Sequence, residues 1–409
     1  MLSIKKIYRE NKPYMGLIFM MLFIFYVNDD SVLFGTNQDK QFLLIKYLCY
    51  GVLALMSMRN LLQNRTKQPR LYKNVVILAF FTLMTAVLNF DITAGYAFQI
   101  LVFIISSGFV LKYDFDNFIR IFEKVLYGLS LLSLIVFVSC IIVPSIPTHF
   151  PIIQNSADDS YYNMIVNFYS SSEWVFIQRN RCIFREPGMY MIYLLFGLIV
   201  NLFYMEEKNK KHIALYSICM VSTFSTAGIM LMLALFGVAS LLKGNKKYLL
   251  LLGGCFAIIV FLGIENDYIL QIFGKLDKDS SNYESTYSRL TSLTTPISIW
   301  FNNPLFGVGM RNFSLTYEAV TKLPSGGNAT NFMVNIFATY GLIVGIIFWK
   351  ATYRLGKHLL PRLRGKYILF VFILLFGAFS NEDIRYSIFF MTLLLYSFKR
   401  VNNTAVPCH

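Results

Sequence analysis

Long apolar stretches follow one another through most of the chain, and many approach the roughly 20 residues that a bilayer crossing demands. Twelve can be placed, at about 13–28, 41–58, 74–90, 95–111, 125–146, 188–205, 213–224, 226–242, 248–264, 331–349, 367–380 and 386–398. Backbone N–H and C=O groups have no water to bond in hydrocarbon, so spans of this length must be helices. The stretch 213–242 admits two forms, a pair of short helices broken at Ser225-Thr226-Ala227-Gly228 or one long tilted helix. Composition agrees: 56% of the 409 residues are apolar and only 14% are charged, against about 25% charged in a typical soluble domain. Mean hydropathy is +0.55. A soluble globular enzyme, a disordered chain and an ordinary nucleic-acid binder are all excluded. The expected fold is all-α, a single integral membrane domain over 1–409 with about twelve transmembrane helices. The first stretch is expected to be a permanent span rather than a cleaved signal peptide, since further spans follow and no small-residue cleavage site is evident.

Charge tests the alternation. With twelve spans, one face carries 26 cations and six acids, from Lys5 through the loops at 59–73, 112–124, 206–211, 243–247 and 350–366 to Arg400. The other face carries 10 cations and 16 acids, and Lys46 alone falls inside a span. Positive residues collect on the cytoplasmic side, so both termini are expected there. The net charge of +15 is thus a topology signal and does not call for nucleic acid. Lys46, about one turn inside its span, is expected to snorkel outward. Cys49, Cys140, Cys219 and Cys255 sit in apolar runs and read as small buried hydrophobes.

Two outer segments are too long to be mere connections, 147–187 and 265–330. Both are rich in Tyr, Phe, Trp and Ile, which is not a disordered composition, so they are expected to be ordered and to carry short helices and any activity. The first ends in Gln178-Arg179-Asn180-Arg181-Cys182-Ile183-Phe184-Arg185-Glu186-Pro187-Gly188, against the start of a span. Arginine's planar fork donates two parallel hydrogen bonds to phosphate, and here three arginines stand on the face where cations are otherwise scarce. In the second segment Leu290, Leu293, Ile297, Trp300 and Phe301 recur at helical spacing and predict an amphipathic helix on the membrane, bent at Pro296. Gly307 and Gly309 read as a tight turn that lets backbone N–H groups approach something. The four histidines show no metal-ligand spacing.

The run Arg181-x-x-Phe184-Arg185-Glu186-Pro187-Gly188 opening a span resembles the Wzy-type O-antigen and capsule polymerases of bacteria. So do Ser225-Thr226-Ala227-Gly228, Ser288-Arg289-Leu290, Asn303-Pro304-Leu305-Phe306-Gly307-Val308-Gly309, and Asn331 through Gly345, in that order along 178–350. The resemblance implies a GT-C-like membrane fold, two large periplasmic loops and a location in the bacterial inner membrane with a periplasmic active face. It implies a metal-independent glycosyltransferase, without cofactor, that joins undecaprenyl-diphosphate-linked oligosaccharide repeat units. A chain-length-regulating co-polymerase and a flippase are its implied partners, alongside membrane lipid. On this basis Arg181, Arg185 and Arg289 are expected on the diphosphate and Glu186 on the acceptor hydroxyl. Arg179, Arg311, Tyr287 and Asn331 are the expected substrate-binding residues, and other outer-loop aromatics such as Tyr161, Tyr162, Tyr169, Trp174 and Trp300 suit sugar recognition.

The related O-antigen ligases carry a His just before the Asn of the last motif, where Thr330 stands here, which favours polymerase over ligase. A lipid-linked oligosaccharide flippase is the alternative from another class. It would show internal repeats and ionisable residues within its spans. No similarity between the first six and last six spans is visible, and Lys46 is the single intramembrane charge in this reading.

Overall fold

The protein's structure is a computed structural model describing residues 2–36, 40–64, 66, 68–154, 159–171, 178–206, 209–243, 283–321, 329–360 and 366–399. It is mostly helical. The first eight helices are α1 (Leu2–Val27), α2 (Lys40–Asn64), α3 (Pro69–Leu88), α4 (Ala94–Lys112), α5 (Phe115–Ile142), α6 (Pro187–Ile199, continued by a π turn to Tyr204), α7 (Lys210–Ser222) and α8 (Thr226–Lys243). After them come α9 (Tyr283–Asn302), α10 (Met310–Thr321), α11 (Phe332–Tyr340), α12 (Leu342–Leu359), α13 (Lys366–Phe379) and α14 (Ile388–Tyr396).

Among the described residues four helical segments are long and apolar enough to cross a membrane: Pro69–Leu88, Ala94–Lys112, Phe115–Ile142 and Pro187–Tyr204. Met15–Val27, Thr226–Leu241 and Tyr367–Phe379 are shorter apolar helices. The expected span at 248–264 lies outside the described residues. The segment 213–242 takes the broken form, because Phe224 turns into the left-handed region (φ 49°) between α7 and α8. The expected span 331–349 is likewise two helices. Gly341 (φ 83°) breaks it, and a side chain there would collide with the Leu305 carbonyl.

Helix α6 is the axis of the bundle. It is apolar on every side, and Met189 through Val200 are almost wholly buried, as a helix without a polar face must be. Helices α5, α7, α8 and α13 pack on it. Its Tyr193 ring lies among Phe25, Phe184, Phe389 and Phe390, with centroids 4.3–5.2 Å apart. The outer helices show the opposite pattern. Val76, Phe80, Leu83 and Val87 of α3 form one exposed apolar stripe, which suits lipid.

The bundle has two chemically distinct ends. At one, the Lys399 ammonium bonds the carbonyls of Val110 and Tyr113, His358 lies against Phe115, and Tyr204 bonds Asp116. This gathers the ends of α4, α5, α6, α12 and α14, with Lys112, Lys357 and Lys399 among them. The other end holds the long segments. The first of these contradicts the expectation of short helices. Its described residues, apart from one 3-10 turn (Pro147–His149), fold as a three-stranded antiparallel sheet, β1 (Ile152–Gln154), β2 (Ser160–Asn163) and β3 (Phe168–Ser170). Its Ile, Tyr and Phe pairs favour the pleated, half-buried setting of a sheet, with Tyr161 and Phe168 turned inward. The second segment does carry short helices. In α9 the predicted apolar stripe faces outward at Leu290, Leu293 and Phe301, while Thr291, Ser292, Thr295 and Ile299 are buried. The Gly307–Gly309 turn brings its backbone to protein: Val308 and Gly309 N–H donate to the Ala338 and Thr339 carbonyls at 2.9 and 3.0 Å.

Cysteines introduced at Ile152 and at Arg120, both half-exposed or more, are expected to react with a membrane-impermeant thiol reagent from opposite sides. Labelling of intact and permeabilised cells, with the unsubstituted chain as blank, checks this. Labelling of both from one side refutes the two-ended arrangement.

Candidate active site

Three turns meet at the end of the bundle that holds the sheet: 28–31 after α1, 180–186 before α6, and 380–387 between α13 and α14. The first two are joined backbone to backbone, and side chains tie the third to them. Ser31 and Phe184 form an antiparallel bridge, Val32 N–H donates to the Ile183 carbonyl (3.0 Å), and Arg185 N–H donates to the Asp30 carbonyl (2.8 Å). Cys182, buried and left-handed (φ 53°), makes the bend, and Pro187 starts α6 with its φ already suited to a helix.

Asp30 is the buried tie. One carboxylate oxygen accepts from Asn28 Nδ2 (2.7 Å), the Tyr193 hydroxyl (2.6 Å) and the Ser387 hydroxyl, so α1, α6 and α14 are held at one atom. Burial, partly offset by Arg185, pushes its carboxyl up to about 6. Asp29 is the ionic tie. It accepts from Lys46 Nζ at 2.6 Å and from Arg185 Nη1 at 3.4 Å. Lys46 therefore does not snorkel to solvent. It is buried, paired, and 4.9 Å over the Phe98 ring, because a carboxylate within reach inside the protein is a better partner than distant water.

Arg185 also donates through Nη2 to the Asp383 carbonyl (2.7 Å) and lies 3.9 Å from Glu382 Oε2. Burial works against its charge, but Asp29, Glu382, Glu186 and Asp30 outweigh it and keep the guanidinium protonated. Arg181 donates to the Arg185 carbonyl (3.2 Å) and stacks 4.3 Å over Tyr161 of β2, which ties the sheet to the arginines. Arg179 is exposed and donates to the Thr223 carbonyl at the α7–α8 break (2.9 Å). Glu186 is exposed just before α6. Glu382 is buried, and its carboxyl is held well above the usual range, first by burial and then by Glu186, while Arg185 and Arg289 act the other way.

Arg185, Glu186 and Arg289 thus all act on one carboxyl, although Arg289 comes from exposed α9 in the second long segment. Arg181 joins them through Arg185. Tyr287 is exposed two residues before Arg289. Arg311 and Asn331 are not brought into this group. The Arg311 backbone N–H donates to Asp91 (2.8 Å) at the start of α10 while its side chain is exposed. Asn331 is buried ahead of α11, its Oδ1 without a partner. Trp174 lies outside the described residues. Among those described, no three His, Cys, Asp or Glu are grouped to hold a metal ion.

Sequence reasoning missed Asp29, Asp30, Glu382, Asp383 and Arg385. Their signal was present: Asn28-Asp29-Asp30 and Asn381-Glu382-Asp383 each place two acids at the edge of an apolar run, where an unpaired charge is expensive. Chemically, the arrangement offers guanidinium groups for a polyanion, with Arg181 and Arg289 nearer water and Arg185 anchored. Beside them is one exposed carboxylate able to accept a proton.

Residues 212–349 match the family model described as O-antigen ligase. This agrees with the resemblance to the O-antigen ligase and polymerase superfamily that the motifs carry. No curated protein and no solved structure matches the chain. The matched third includes Arg289, Arg311 and Asn331; the turns at 28–31, 180–186 and 380–387 fall outside it.

An acid whose folded pKa stands near 6, above its ordinary 3.8, holds its proton more readily when native. Its stabilising contribution is therefore full at low pH and is lost as pH rises through about 6, a change on the order of 3 kcal/mol. Relative to Asp30→Asn, the wild type should lose melting temperature between about pH 4 and about pH 6.5. Parallel melting curves across that range would argue against the buried tie.

Proposed function

We propose that this protein is a polysaccharide polymerase, an inner-membrane glycosyltransferase that joins undecaprenyl-diphosphate-linked oligosaccharide repeat units on the periplasmic face, of the O-antigen type. The observation that carries this reading is the arginine turn before α6, where Arg185 lies 3.9 Å from Glu382, Arg181 bonds the Arg185 carbonyl and stacks on Tyr161 of the sheet, and Glu186 is exposed beside them; the charge of Arg289, from the second long segment, also bears on Glu382. A glycan carried on a lipid diphosphate leaves as that diphosphate when its anomeric carbon is attacked. Negative charge then grows on the bridging oxygen, and positioned guanidiniums stabilise it. Arg181 and Arg289 contact the diphosphate, and Arg185 holds the first of them through its carbonyl. Glu186 takes the proton of the acceptor hydroxyl on the second lipid-linked unit. The attacking oxygen gains the C1 bond as the C1–O bond to diphosphate breaks, and the lipid diphosphate departs with the electron pair.

Arg179, Tyr287 and the half-buried Tyr162 and Tyr169 of the sheet line the approach for the glycan. Arg311 and Asn331, away from the arginines, contact substrate at a distance from the reacting bond. A co-polymerase and a flippase serve the same substrate. The basic end of the bundle faces the cytoplasm in this reading, and the sheet end faces the periplasm.

The matching family description is equally compatible with a second reading, transfer of the finished glycan to lipid A core by a ligase. Thr330 in place of the ligase His speaks for polymerase.

With purified lipid-linked repeats, replacing Arg181 or Arg289 with Lys should cut chain extension by about 10²-fold. Wild-type chain lengths from both variants would remove the diphosphate role. In a deletion strain, surface glycan of a single repeat marks a polymerase and unmodified lipid A core marks a ligase. Precursor retained at the cytoplasmic face marks a flippase.

A further inference from the structure

Helix α10 carries no cap of its own. The residue ahead of it is Gly309, whose carbonyl accepts from the Phe313 N–H at 3.0 Å. A glycine has no side-chain oxygen for the amide groups that a helix start leaves unpaired. The acceptors come instead from the α3–α4 turn and from α4, 220 and 214 positions away along the chain. The Arg311 N–H donates to Asp91 Oδ2 (2.8 Å), and the Met310 N–H donates to the Tyr96 hydroxyl (3.0 Å). That hydroxyl in turn donates to the same Asp91 oxygen (3.2 Å). The surroundings are shaped to this contact. Phe90 sits in the left-handed region (φ 50°), and Asp91 is buried while Phe90 and Ile92 on either side of it are exposed. A side chain at Gly309 (φ 90°) would overlap the Asp91 carboxylate, and one at Gly95 would overlap the Tyr386 hydroxyl and the Met310 sulfur. Among the described residues Asp91 Oδ1 has no partner, so this buried carboxylate is committed to one joint.

We propose that Asp91 is a positioning residue for substrate binding: it seats the start of α10 and so fixes where the second long segment presents Arg311 and Arg289. This rests on the reading of those two arginines as substrate contacts. Arg311 is reached directly, since the N–H that Asp91 holds is its own, and its exposed guanidinium departs from a fixed backbone. Arg289 is reached through the same helix. The Tyr317 hydroxyl of α10 shares hydrogen bonds with Thr291 and Ser292 of α9, each at 3.2 Å, and Arg289 lies within one turn of them. The joint also meets the 380–387 turn, where the Tyr386 hydroxyl donates to the Met310 sulfur (3.3 Å). The second long segment is therefore seated on the end of the bundle at a place distinct from the arginine turn, and linked to one of the three turns that build the site.

Binding of lipid-linked repeats to the purified protein tests this without turnover. Asp91→Ala takes the acceptor from the Arg311 N–H and the Tyr96 hydroxyl, and should weaken binding about tenfold. Asp91→Asn keeps an acceptor oxygen in the same place and should stay within about threefold of the wild type. Tyr96→Phe, a milder change that removes only the acceptor of the Met310 N–H, should give a smaller loss of the same kind and reads the joint if Asp91→Ala does not fold. A double-mutant comparison separates positioning from mere support of the fold. In a chain already carrying Arg289→Ala and Arg311→Ala, adding Asp91→Ala should weaken binding by no more than about twofold further, because nothing is left for it to position. An undiminished tenfold loss in that background overturns the proposal. So do wild-type binding by both Asp91→Ala and Tyr96→Phe, and an Asp91→Asn loss as large as that of Asp91→Ala. Wild-type binding by the chain lacking both arginines overturns their reading as substrate contacts instead, and with it the role given to Asp91.

Discussion

Asp29 holds two cations at once, Lys46 from α2 and Arg185 from the turn before α6, among apolar helices where neither charge has water to turn to. Most of the site's geometry depends on that double pairing. A buried ion pair adds little to stability over a hydrophobic replacement, yet removing one partner costs about 3–5 kcal/mol because the other is left unpaired. The pairing therefore acts chiefly as a specification. It requires the first inter-helical turn to lie against the turn that carries the arginines, and Asp30 extends the requirement to α14 through Ser387. Asn28 and Asp30 fix regions of the chain separated by more than 350 residues to one another.

The mount beneath these charges is rigid for a separate reason. α6 is buried along its whole length, and its Tyr193 is both a member of the aromatic cluster and a donor to Asp30. The polar network and the apolar core therefore share a side chain. Arg181, Arg185 and Glu186 sit at the N-terminal end of this buried helix, on either side of the bend at Cys182. Precise placement needs such a support, since an error of about 1 Å in a reacting group costs on the order of 10²-fold in rate.

Helix-forming stretches were legible in the sequence because hydrocarbon leaves the backbone one main solution, and the arginine-rich turn was legible because its charges are contiguous. What escaped was what distance along the chain hides. Glu382 and Asp29 carry no local pattern linking them to residue 185, and only tertiary contact reveals the pairing. Lys46 was misjudged for the same reason: read alone it has solvent as its best partner, and the fold supplies Asp29. The sheet at 152–170 was missed because its strands are three or four residues long, too short for alternation to stand out. The breaks at Phe224 and Gly341 fall within runs whose hydropathy is nearly continuous, so composition was blind to them. The Ser225–Gly228 motif did mark the first break.

Charge balance in the cluster explains why the site proposed for a polyanion is itself so rich in acids. Lys46, Arg181, Arg185, Arg289 and Arg385 crowded together without counter-charges would repel one another and unfold the turns that carry them. Asp29, shared by Lys46 and Arg185, Asp30 beside Arg185, and Asp383 on Arg385 offset the inner members. Arg181 is instead held by a carbonyl and a ring face, and Arg289 lies on an exposed helix. Neither of those restraints cancels a charge. The compensated charges hold the fold, and the surplus positive charge sits at the water-facing side, where a diphosphate would meet it.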